Sequence, residues 1–529
     1  PGRGIEPAQR AGRDADAVGR CRLVGALLLL LGMHVTAWAV SLEAIDLSGD
    51  WRFRIDPEND GLDAGWYRET LPGTVRLPGS LNENGIGNEV SPATPWTGTI
   101  TSRMWHDDER FAPYREPGNT KILFWLQPDK HYIGAAWYQK DIEIPESWQG
   151  KRVVVRLERC HWETRLWVDG KVAGSRNSLS VPHEYEVTDE LTPGPHTLTL
   201  RVDNTYALDV GINAHSVSDN TQTNWNGVVG GMNILARDPV SIEDLQVFPD
   251  VAGKRIRVRL DLVNTTGRDC PGMLTVAASL PGVDGLPPLE MPVTAQDGKT
   301  WVNFIYSMGE APRLWNEFDP AVYTLNTVLT VSDGETNYTD TRETTFGMRE
   351  LGVDGTQFTL NGKRIYLRGT LECCIFPRTG YPPTDVESWL RLLRAAKEHG
   401  LNHFRFHSWC PPEAAFVAGD QTGFLFQVEG PFWTHPGEGD PLDAYIIEEC
   451  GRMLKAYGNH PSFAFMAYGN EPGGKKHEEF LGDLVASWKE QDPRRLYTAA
   501  SGWPILGESQ YHVTYKPRVH SDYGGKPMR

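Results

Sequence analysis

Positive charge is scarce in this chain. Its 529 residues include 52 Lys and Arg against 69 Asp and Glu, which gives a formal net charge of −17. Binding to a phosphate backbone requires clustered Lys and Arg, so this balance argues against a nucleic-acid partner. Cysteine is also sparse, with seven residues and neither a CxxC motif nor a His-paired spacing. The sequence therefore predicts no metal site and no cofactor, while disulfide pairing stays open.

Long hydrophobic runs are missing apart from one near the N-terminus. "RCRLVGALLLLLGMHVTAWAVS" (Arg20 to Ser41) has a basic flank, a Leu run and a small-x-small triplet ending at Ala39, the order of a secretory signal peptide. We expect removal of residues 1–39, export, and no stable membrane association afterwards. A permanent anchor is the alternative, but the run is short for a span of about 20 residues and contains His34. Because the chain opens with Pro1 rather than Met, we expect the natural chain to begin upstream.

Aromatic side chains are plentiful, with 18 Trp, 18 Tyr and 18 Phe. Sugar rings present apolar C–H faces that stack on aromatic rings, so this composition suits a carbohydrate ligand. The same side chains can equally fill the cores of large β-sandwiches, and composition leaves both interpretations open. With 40% hydrophobic residues the chain can bury the cores of several domains.

Two β-rich regions come first. In residues 46–238, "KRVVVRLERC" (Lys151 to Cys160) is strand-like and "HTLTLRVDN" (His196 to Asn204) alternates apolar and polar residues, which predicts an antiparallel jelly roll. In residues 239–345, "KRIRVRLDLVN" (Lys254 to Asn264) alternates in the same way, and the length of about one hundred residues fits an immunoglobulin-like sandwich.

Residues 346–529 alternate strand-like and helical stretches. "KRIYLRGT" (Lys363 to Thr370) is predicted to be the first strand, and "TDVESWLRLLRAAKEHG" (Thr384 to Gly400) the first helix. That helix is predicted to begin with a capping box formed by Thr384 and Glu387. Five such β/α units in a row predict part of a parallel (β/α)8 TIM barrel.

Polar and aromatic residues follow the predicted barrel strands. The carboxyl ends of barrel strands share one mouth, where such enzymes keep their chemistry. The residues at these ends are Glu372, Arg405, His407, Trp409, Glu429, Trp433, Asn470, Glu471, Ser501 and Trp503. Acids, an amide, a guanidinium and indoles together are the parts of a sugar-cleaving pocket. Individually, Trp409 and Trp433 could be packing residues, His407 could be structural, and Glu372 could cap a loop.

The chain resembles glycoside hydrolase family 2, which includes β-galactosidases, β-glucuronidases and β-mannosidases. "LSGDWRFRIDP" (Leu47 to Pro57) is similar to the start of its sugar-binding jelly roll, and "FGMREL" (Phe346 to Leu351) to the start of its barrel. "YGNE" (Tyr468 to Glu471) is similar to its acid/base motif on the fourth barrel strand. The resemblance covers nearly all of the chain after the leader, and the order of three domains is its most specific feature.

The resemblance implies a retaining mechanism in which Glu471 is the acid/base. It also implies that Asn470 holds the 2-hydroxyl of the sugar and that Arg405 orients the nucleophilic carboxylate. The family commonly shows Arg-x-Ser-His, whereas this chain has Arg405-Phe406-His407-Ser408, which shifts the His by one position. The nucleophile is expected on the seventh strand, beyond Arg529, so the 529-residue chain alone should be inactive.

The predicted function is that of an exported exo-acting β-glycosidase on oligo- or polysaccharides, with β-galactosidase favoured and β-glucuronidase or β-mannosidase as alternatives. A non-catalytic carbohydrate-binding or scaffolding protein is the alternative of another class. A metal-dependent lyase or an esterase would need a ligand cluster or a Gly-x-Ser-x-Gly elbow, and neither is present. Two loops of the jelly roll, residues 80–98 and 215–227, are rich in Asn and Trp and are predicted to wall the pocket.

Overall fold

The computed structural model describes residues 43–98, 103–122, 127–219, 224–283, 285–439 and 441–513. The predicted signal peptide lies outside these residues. No helix within the described ranges is long and apolar enough to cross a membrane.

Residues 43–237 form a β-sandwich, which we call the N-terminal sandwich. Its first six strands are β1 (Glu43–Asp46), β2 (Gly49–Asp56), β3 (Gly73–Leu77), β4 (Gly79–Ser80), β5 (Asn88–Glu89) and β6 (Lys130–His131). The others are β7 (Ala135–Ile144), β8 (Arg152–His161), β9 (Glu163–Val168), β10 (Lys171–Arg176), β11 (His183–Glu186), β12 (Gly194–Asp203) and β13 (Gly227–Arg237). One antiparallel sheet has the order β1-β13-β8-β11, with β4 also on β13, and the other has the order β10-β9-β12-β7-β2-β3.

Alternation along these strands builds the core of the N-terminal sandwich. Leu198, Leu200 and Val202 of β12 are fully buried and pack with apolar residues of the opposite sheet, such as Val155 of β8. The connections contain two short helices, α1 (Gly61–Ala64) and α2 (Arg103–Asp107). They also contain three 3-10 turns, Trp66–Arg68, Glu109–Tyr114 and Glu146–Trp148.

A second sandwich follows directly, from Val240 to Gly347. Its strands are β14 (Val240–Asp250), β15 (Arg255–Asn264), β16 (Cys270–Ser279), β17 (Leu289–Ala295), β18 (Gly298–Ser307), β19 (Val322–Ser332) and β20 (Asn337–Gly347). The sheets are β14-β15-β18 and β17-β16-β19-β20, all antiparallel, the three-plus-four arrangement of an immunoglobulin-like domain. Ile256, Val258, Leu260 and Leu262 of β15 all point into its core, as the alternation predicts.

The remaining described residues form a small antiparallel sheet and then a parallel one. The antiparallel strands are β21 (Leu351–Asp354), β22 (Gln357–Leu360) and β23 (Lys363–Ile365). The parallel sheet has its strands in chain order: β24 (Gly369–Glu372), β25 (His403–Phe406), β26 (Leu425–Glu429), β27 (Phe463–Ala467) and β28 (Leu496–Thr498). The intervening helices are α3 (Val386–Glu398), α4 (Glu413–Thr422), α5 (Leu442–Tyr457) and α6 (His477–Gln491).

The structure corrects two local predictions. "KRIYLRGT" is not one strand: Lys363–Ile365 pairs antiparallel with β22, and the parallel strand begins at Gly369. Between these two strands, the Arg368 N–H donates a hydrogen bond to the side chain of Asn402 at 2.8 Å. The cap of α3 is also different, since Asp385 rather than Thr384 accepts the Ser388 N–H at 2.8 Å.

The N-terminal sandwich packs directly on the parallel sheet and its helices. Buried Glu449 of α5 accepts hydrogen bonds from the Ser178 hydroxyl and the Leu179 N–H, both at 2.9 Å. The Arg159 guanidinium donates to the Cys410 carbonyl at 2.6 Å. Charged groups that are buried together with their partners fix the relative position of two surfaces, so this contact is specific.

Candidate active site

Glu429, the last residue of β26, is the centre of a buried hydrogen-bond network. Its side chain has no exposed surface, and its carboxylate accepts Nε of Arg405 at 2.5 Å and the Ser408 N–H at 2.7 Å. It also accepts Nε2 of Gln427 at 3.0 Å and the Ser501 hydroxyl. Burial alone would raise the pKa of Glu429, but the Arg405 guanidinium and the donated hydrogen bonds hold that pKa below its ordinary value.

The same guanidinium fixes Asn470. Nη2 of Arg405 donates to Oδ1 of Asn470 at 2.6 Å, while the Asn470 N–H donates to the Phe432 carbonyl at 2.9 Å. The amide oxygen is thereby committed to the protein, which leaves Nδ2 as the group that can donate to a ligand. Glu429, Arg405 and Asn470 therefore form one chain across the ends of three adjacent strands.

Glu471 follows Asn470 in a strained backbone conformation. Its φ of +36° lies in the left-handed region, which is uncommon for a residue with a side chain and clusters at functional sites. The Glu471 N–H donates to the Ser501 carbonyl at 2.9 Å. The half-buried side chain runs along Gly502, where a Cβ atom would lie 2.9 Å from Cγ of Glu471. A glycine at position 502 therefore makes the room for this carboxylate.

Three aromatic rings line the other side of the network. The His407 and His215 rings stack with centroids 4.3 Å apart, and both lie edge-to-face with the Trp433 ring, at 5.2 and 6.4 Å. His215 comes from the N-terminal sandwich, whereas the other two follow β25 and β26. Burial lowers the pKa of both histidines, that of His215 to about 3.

Glu372 ends β24 and supports the neighbouring strand end. Its carbonyl accepts the His407 N–H at 3.0 Å and Nε1 of Trp409 at 3.1 Å. Its carboxyl accepts the Cys374 N–H at 3.0 Å. Desolvation raises the pKa of Glu372 to about 7, although that bond and a second backbone N–H oppose the shift.

Two predicted substrate contacts are corrected by the structure. Trp409 is buried among Trp389, Phe406 and Phe376, so its indole packs in the core beneath the site and is not available to a sugar. Glu429 is fully buried behind Arg405 and serves as its anchor rather than as a surface group. Sequence spacing places both residues at strand ends but does not say which side of the strand end each one faces.

Trp503 and the jelly-roll loops lie around this centre. Trp503 is exposed and donates its indole N–H to the Pro472 carbonyl at 2.9 Å, which ties it to the residue after Glu471. Tyr381, on the loop after β24, donates to Glu83 at 2.7 Å and packs against Trp225 at 5.5 Å. Both loop partners belong to the two segments predicted to wall the pocket.

Sequence reasoning did not single out Gln427, Ser408 or His215. Gln427 donates to both Glu429 and the Ser501 hydroxyl, and Ser408 bridges Glu429 to the N-terminal sandwich. Gln427 lies between apolar residues in the fully buried strand "LFQVE", and a polar residue inside a buried strand is the signal that could have found it. His215 is the first residue of the segment 215–227 that was predicted to wall the pocket, but the sequence does not mark it individually.

Comparison with known proteins shows which proteins the chain is similar to. Residues 240–349 match the model of Glycosyl hydrolases family 2. The β-galactosidase large subunit of Latilactobacillus sakei is 24% identical over 421 residues, which cover 72% of this chain and 61% of that protein. The chain is therefore similar in sequence to glycosyl hydrolases of family 2. The β-glucuronidase of Paenibacillus borealis is 23% identical over 506 residues, 88% of this chain and 74% of that protein.

Solved structures share the fold of this chain. The β-glucuronidase of Bacteroides uniformis superposes with a TM-score of 0.67 at 18% identity, over 87% of this chain and 52% of that one. A family 2 member from Bacteroides cellulosilyticus gives a TM-score of 0.65 at 19% identity, over 88% and 58% of the two chains. The multidomain, β-rich architecture is therefore shared with these structures. The chain spans between about half and three quarters of the length of the four proteins compared.

Proposed function

We propose that the protein is an exported retaining β-glycosidase that removes terminal β-linked sugars from oligo- or polysaccharides. The observation that carries this proposal is the position of Glu471. It is a half-buried carboxylate on a strained turn, directly after the amide that Arg405 and Glu429 hold in place. A retaining glycosidase needs a carboxyl group that first protonates the leaving oxygen and later deprotonates water. Glu471 is proposed for that role, and Asn470 for the hydrogen bond to the 2-hydroxyl.

The second carboxylate of the mechanism is not assigned to Glu429. A nucleophile must present a free oxygen to the anomeric carbon, about 5–5.5 Å from the acid/base. Glu429 has no exposed surface, and both of its oxygens are engaged by donors from Arg405, Ser408, Gln427 and Ser501. Its proposed role is to hold Arg405 in place rather than to react.

The open edge of β24 supports a closed barrel as the complete architecture. Within the described residues β24 pairs with β25 alone, and its residues Gly369, Thr370 and Leu371 are exposed. Unpaired strand edges with exposed apolar side chains are avoided in stable folds. We therefore propose that further strands close a (β/α)8 barrel against this edge and that one of them carries the nucleophile.

The proposed substrate is a β-galactoside, with β-glucuronides and β-mannosides as alternatives. Relatives carry both β-galactosidase and β-glucuronidase names, so the sugar has to be decided by assay. The test is a panel of nitrophenyl β-glycosides offered to the complete protein. We expect hydrolysis of one of these glycosides with retention of the anomeric configuration, which NMR would monitor. Failure to hydrolyse any of them, with sugar binding intact, would favour a carbohydrate-binding role instead.

The role of Glu471 is tested with leaving groups of different basicity. Glu471→Gln should slow the hydrolysis of glycosides with alkyl leaving groups by roughly 10²- to 10⁴-fold, because these leaving groups need a proton from the acid. It should slow the hydrolysis of activated dinitrophenyl glycosides far less. Azide should restore turnover by Glu471→Ala and give a β-glycosyl azide. Glu478→Gln, at an exposed carboxylate on the following helix, is the matched control and should behave as the wild type. Equal losses on both classes of leaving group would assign the acid to another residue.

A further inference from the structure

The outer face of the sheet β14-β15-β18 is covered on one side only. Its β14 side packs on the parallel-sheet region, where Gln246 donates to the Lys455 carbonyl at 3.0 Å and the Arg494 guanidinium lies 4.4 Å from the centre of the Phe248 ring. The outward side chains of β15 and β18 are exposed or half-buried, and we call them the β15–β18 strip. They are Arg255, Arg257, Arg259, Asp261 and Val263 of β15, and Lys299, Trp301, Asn303, Ile305 and Ser307 of β18.

Two large apolar side chains are exposed on β18. Trp301 has 69% of its surface exposed, the most of any tryptophan in the described residues, and Ile305 is exposed on the same face. The two residues are about 13 Å apart along the strand, and the amide of Asn303 lies between them. Exposed apolar side chains that share a face with polar ones are typical of a binding surface.

The β15 side of the strip is basic. The guanidinium groups of Arg257 and Arg259 lie 4.4 and 5.8 Å from the centre of the Phe248 ring, which holds them next to each other. Within the described ranges, neither guanidinium forms an ion pair or a hydrogen bond. The neighbouring Arg255 is different, because it is paired with Asp250 at 2.8 Å. Two positive charges on this face therefore lack a carboxylate partner.

The strip is complementary to a negatively charged ligand. Lys299 adds a third positive charge, and Asp261 is the one carboxylate of the strip. The chain as a whole has a net charge of −17, but the Debye length is only about 8 Å at physiological ionic strength. The acidic surface elsewhere is therefore largely screened from a ligand that lies on the strip.

The dimensions of the strip favour an extended chain over a folded partner. Two neighbouring strands are about 10 Å wide and ten residues of strand are about 33 Å long, which gives roughly 300 Å². A stable interface between folded proteins buries about 800 Å² on each partner. A polysaccharide chain is one sugar ring wide and fits such a strip lengthwise.

We propose that the β15–β18 strip is a carbohydrate-binding site separate from the active site, and that its ligand is a polyuronate, a polysaccharide with carboxylate groups. Trp301 stacks on the C–H face of a sugar ring, and Asn303 hydrogen-bonds its hydroxyl groups. Arg259 lies directly opposite Asn303 in the sheet, so it and Arg257 can bind carboxylates of the same chain. The planar guanidinium matches a carboxylate through two parallel hydrogen bonds.

This site goes beyond the proposed glycosidase function, because it holds a polymer and takes no part in bond cleavage. Arg494, which packs beside the strip, precedes β28, so the strip adjoins the amino ends of the parallel strands. Glu471 lies at their carboxyl ends, on the opposite side of that sheet. A polymer bound to the strip therefore leaves the mouth of the active site open.

Affinity electrophoresis in gels that contain polygalacturonate tests the site with the complete protein. The wild type should be retarded by this polymer, and much less by its methyl ester, in which the carboxylates are neutral. Trp301→Ala and the double variant Arg257→Gln/Arg259→Gln should each weaken binding by roughly 5- to 50-fold, because each removes one of the two kinds of contact. Trp301→Tyr keeps a flat ring and should retain most of the binding.

Matched controls come from the same domain. Phe318→Ala removes another exposed aromatic ring, and Arg268→Gln removes an exposed guanidinium that is paired with Glu335. Both should bind polygalacturonate as the wild type does, and thermal midpoints check that every variant is folded. Equal retardation of the strip variants and these controls would overturn the proposal, and so would the lack of any retardation of the wild type.

Other polymers and the catalytic variant complete the test. Retardation by DNA or by dextran sulfate, without retardation by polygalacturonate, would overturn the proposal in favour of another polyanion. Glu471→Gln should bind polygalacturonate as the wild type does, and Trp301→Ala should hydrolyse nitrophenyl glycosides at the wild-type rate. Loss of polymer binding in Glu471→Gln would place the binding in the active site instead. If no nitrophenyl glycoside is hydrolysed, the electrophoresis still decides whether the strip binds the polymer.

Discussion

Replacing Glu429 by Gln is expected to destabilise the protein much more than the nearly unchanged shape of the side chain suggests. The carboxylate has no exposed surface, and its partner Arg405 is only 16% exposed. In Glu429→Gln the new amide would place an N–H2 group where an oxygen now accepts hydrogen bonds. Oε1 accepts from Arg405, Gln427 and Ser501, and Oε2 from Arg405 and Ser408, so either orientation of the amide sets donors against donors.

The expected loss of stability follows from the burial of the Arg405 charge that Glu429→Gln leaves without a partner. Removing one partner of a buried ion pair costs about 3–5 kcal/mol, because the other charge stays desolvated and uncompensated. For a region of about 150–250 residues this corresponds to a fall of roughly 6–20 °C in the thermal midpoint. The lowered pKa of Glu429 gives the sign of the pH dependence: its stabilisation is present above the ordinary carboxyl pKa and is lost as the pH falls through the lowered value.

The chain offers a matched control in the Arg52–Asp141 pair. It is also bidentate, with both hydrogen bonds at 2.7 Å, but its side chains are 31% and 62% exposed. Exposed pairs contribute about 0–1 kcal/mol, so Asp141→Asn should change the thermal midpoint by at most about 4 °C. Differential scanning fluorimetry at neutral pH, with urea unfolding as a second probe, measures both variants. Equal destabilisation by the two substitutions would refute the argument from burial.

Two further predictions concern residues around the network. Because the pKa of Glu372 is raised, its contribution to stability is full below the ordinary carboxyl pKa and is lost as the pH rises through about 7. Glu372→Gln should therefore flatten the dependence of the thermal midpoint on pH between about pH 5 and 8. A slope equal to that of the wild type would contradict this prediction. A Cβ atom at Gly211 of the N-terminal sandwich would lie 2.1 Å from the Trp433 carbonyl oxygen. Gly211→Ala should lower the free energy of unfolding by about 2–4 kcal/mol, and it should lower kcat/KM because it displaces the Trp433 backbone. The control is Gly451→Ala, where the added methyl group meets open space, and it should be neutral or stabilising. Equal thermal midpoints in the two variants would contradict the close fit at Gly211.

The sequence alone determined the order of the elements and the position of most site residues along the chain. Periods of two and 3.6 are local properties, so the alternation in β12 and β15 and the helix α3 could be predicted within a few residues. The polar residues Asn470 and Glu471 could be placed because parallel strands present their carboxyl ends at one edge. Strand ends and caps were predicted less well: between β23 and β24, the Arg368 N–H donates to Asn402 in a contact across 34 residues.

The tertiary structure decided which of these residues face a ligand and which support others. Trp409 and Glu429 occupy strand ends like their neighbours, but packing buries both, one among aromatic rings and the other behind a guanidinium. His215 joins the site through a hydrogen bond to Ser408 that spans 193 residues of sequence. Composition could suggest that the segment 215–227 reaches the pocket, but it could not specify this contact, because the contact depends on how the two domains fit together at Gly211.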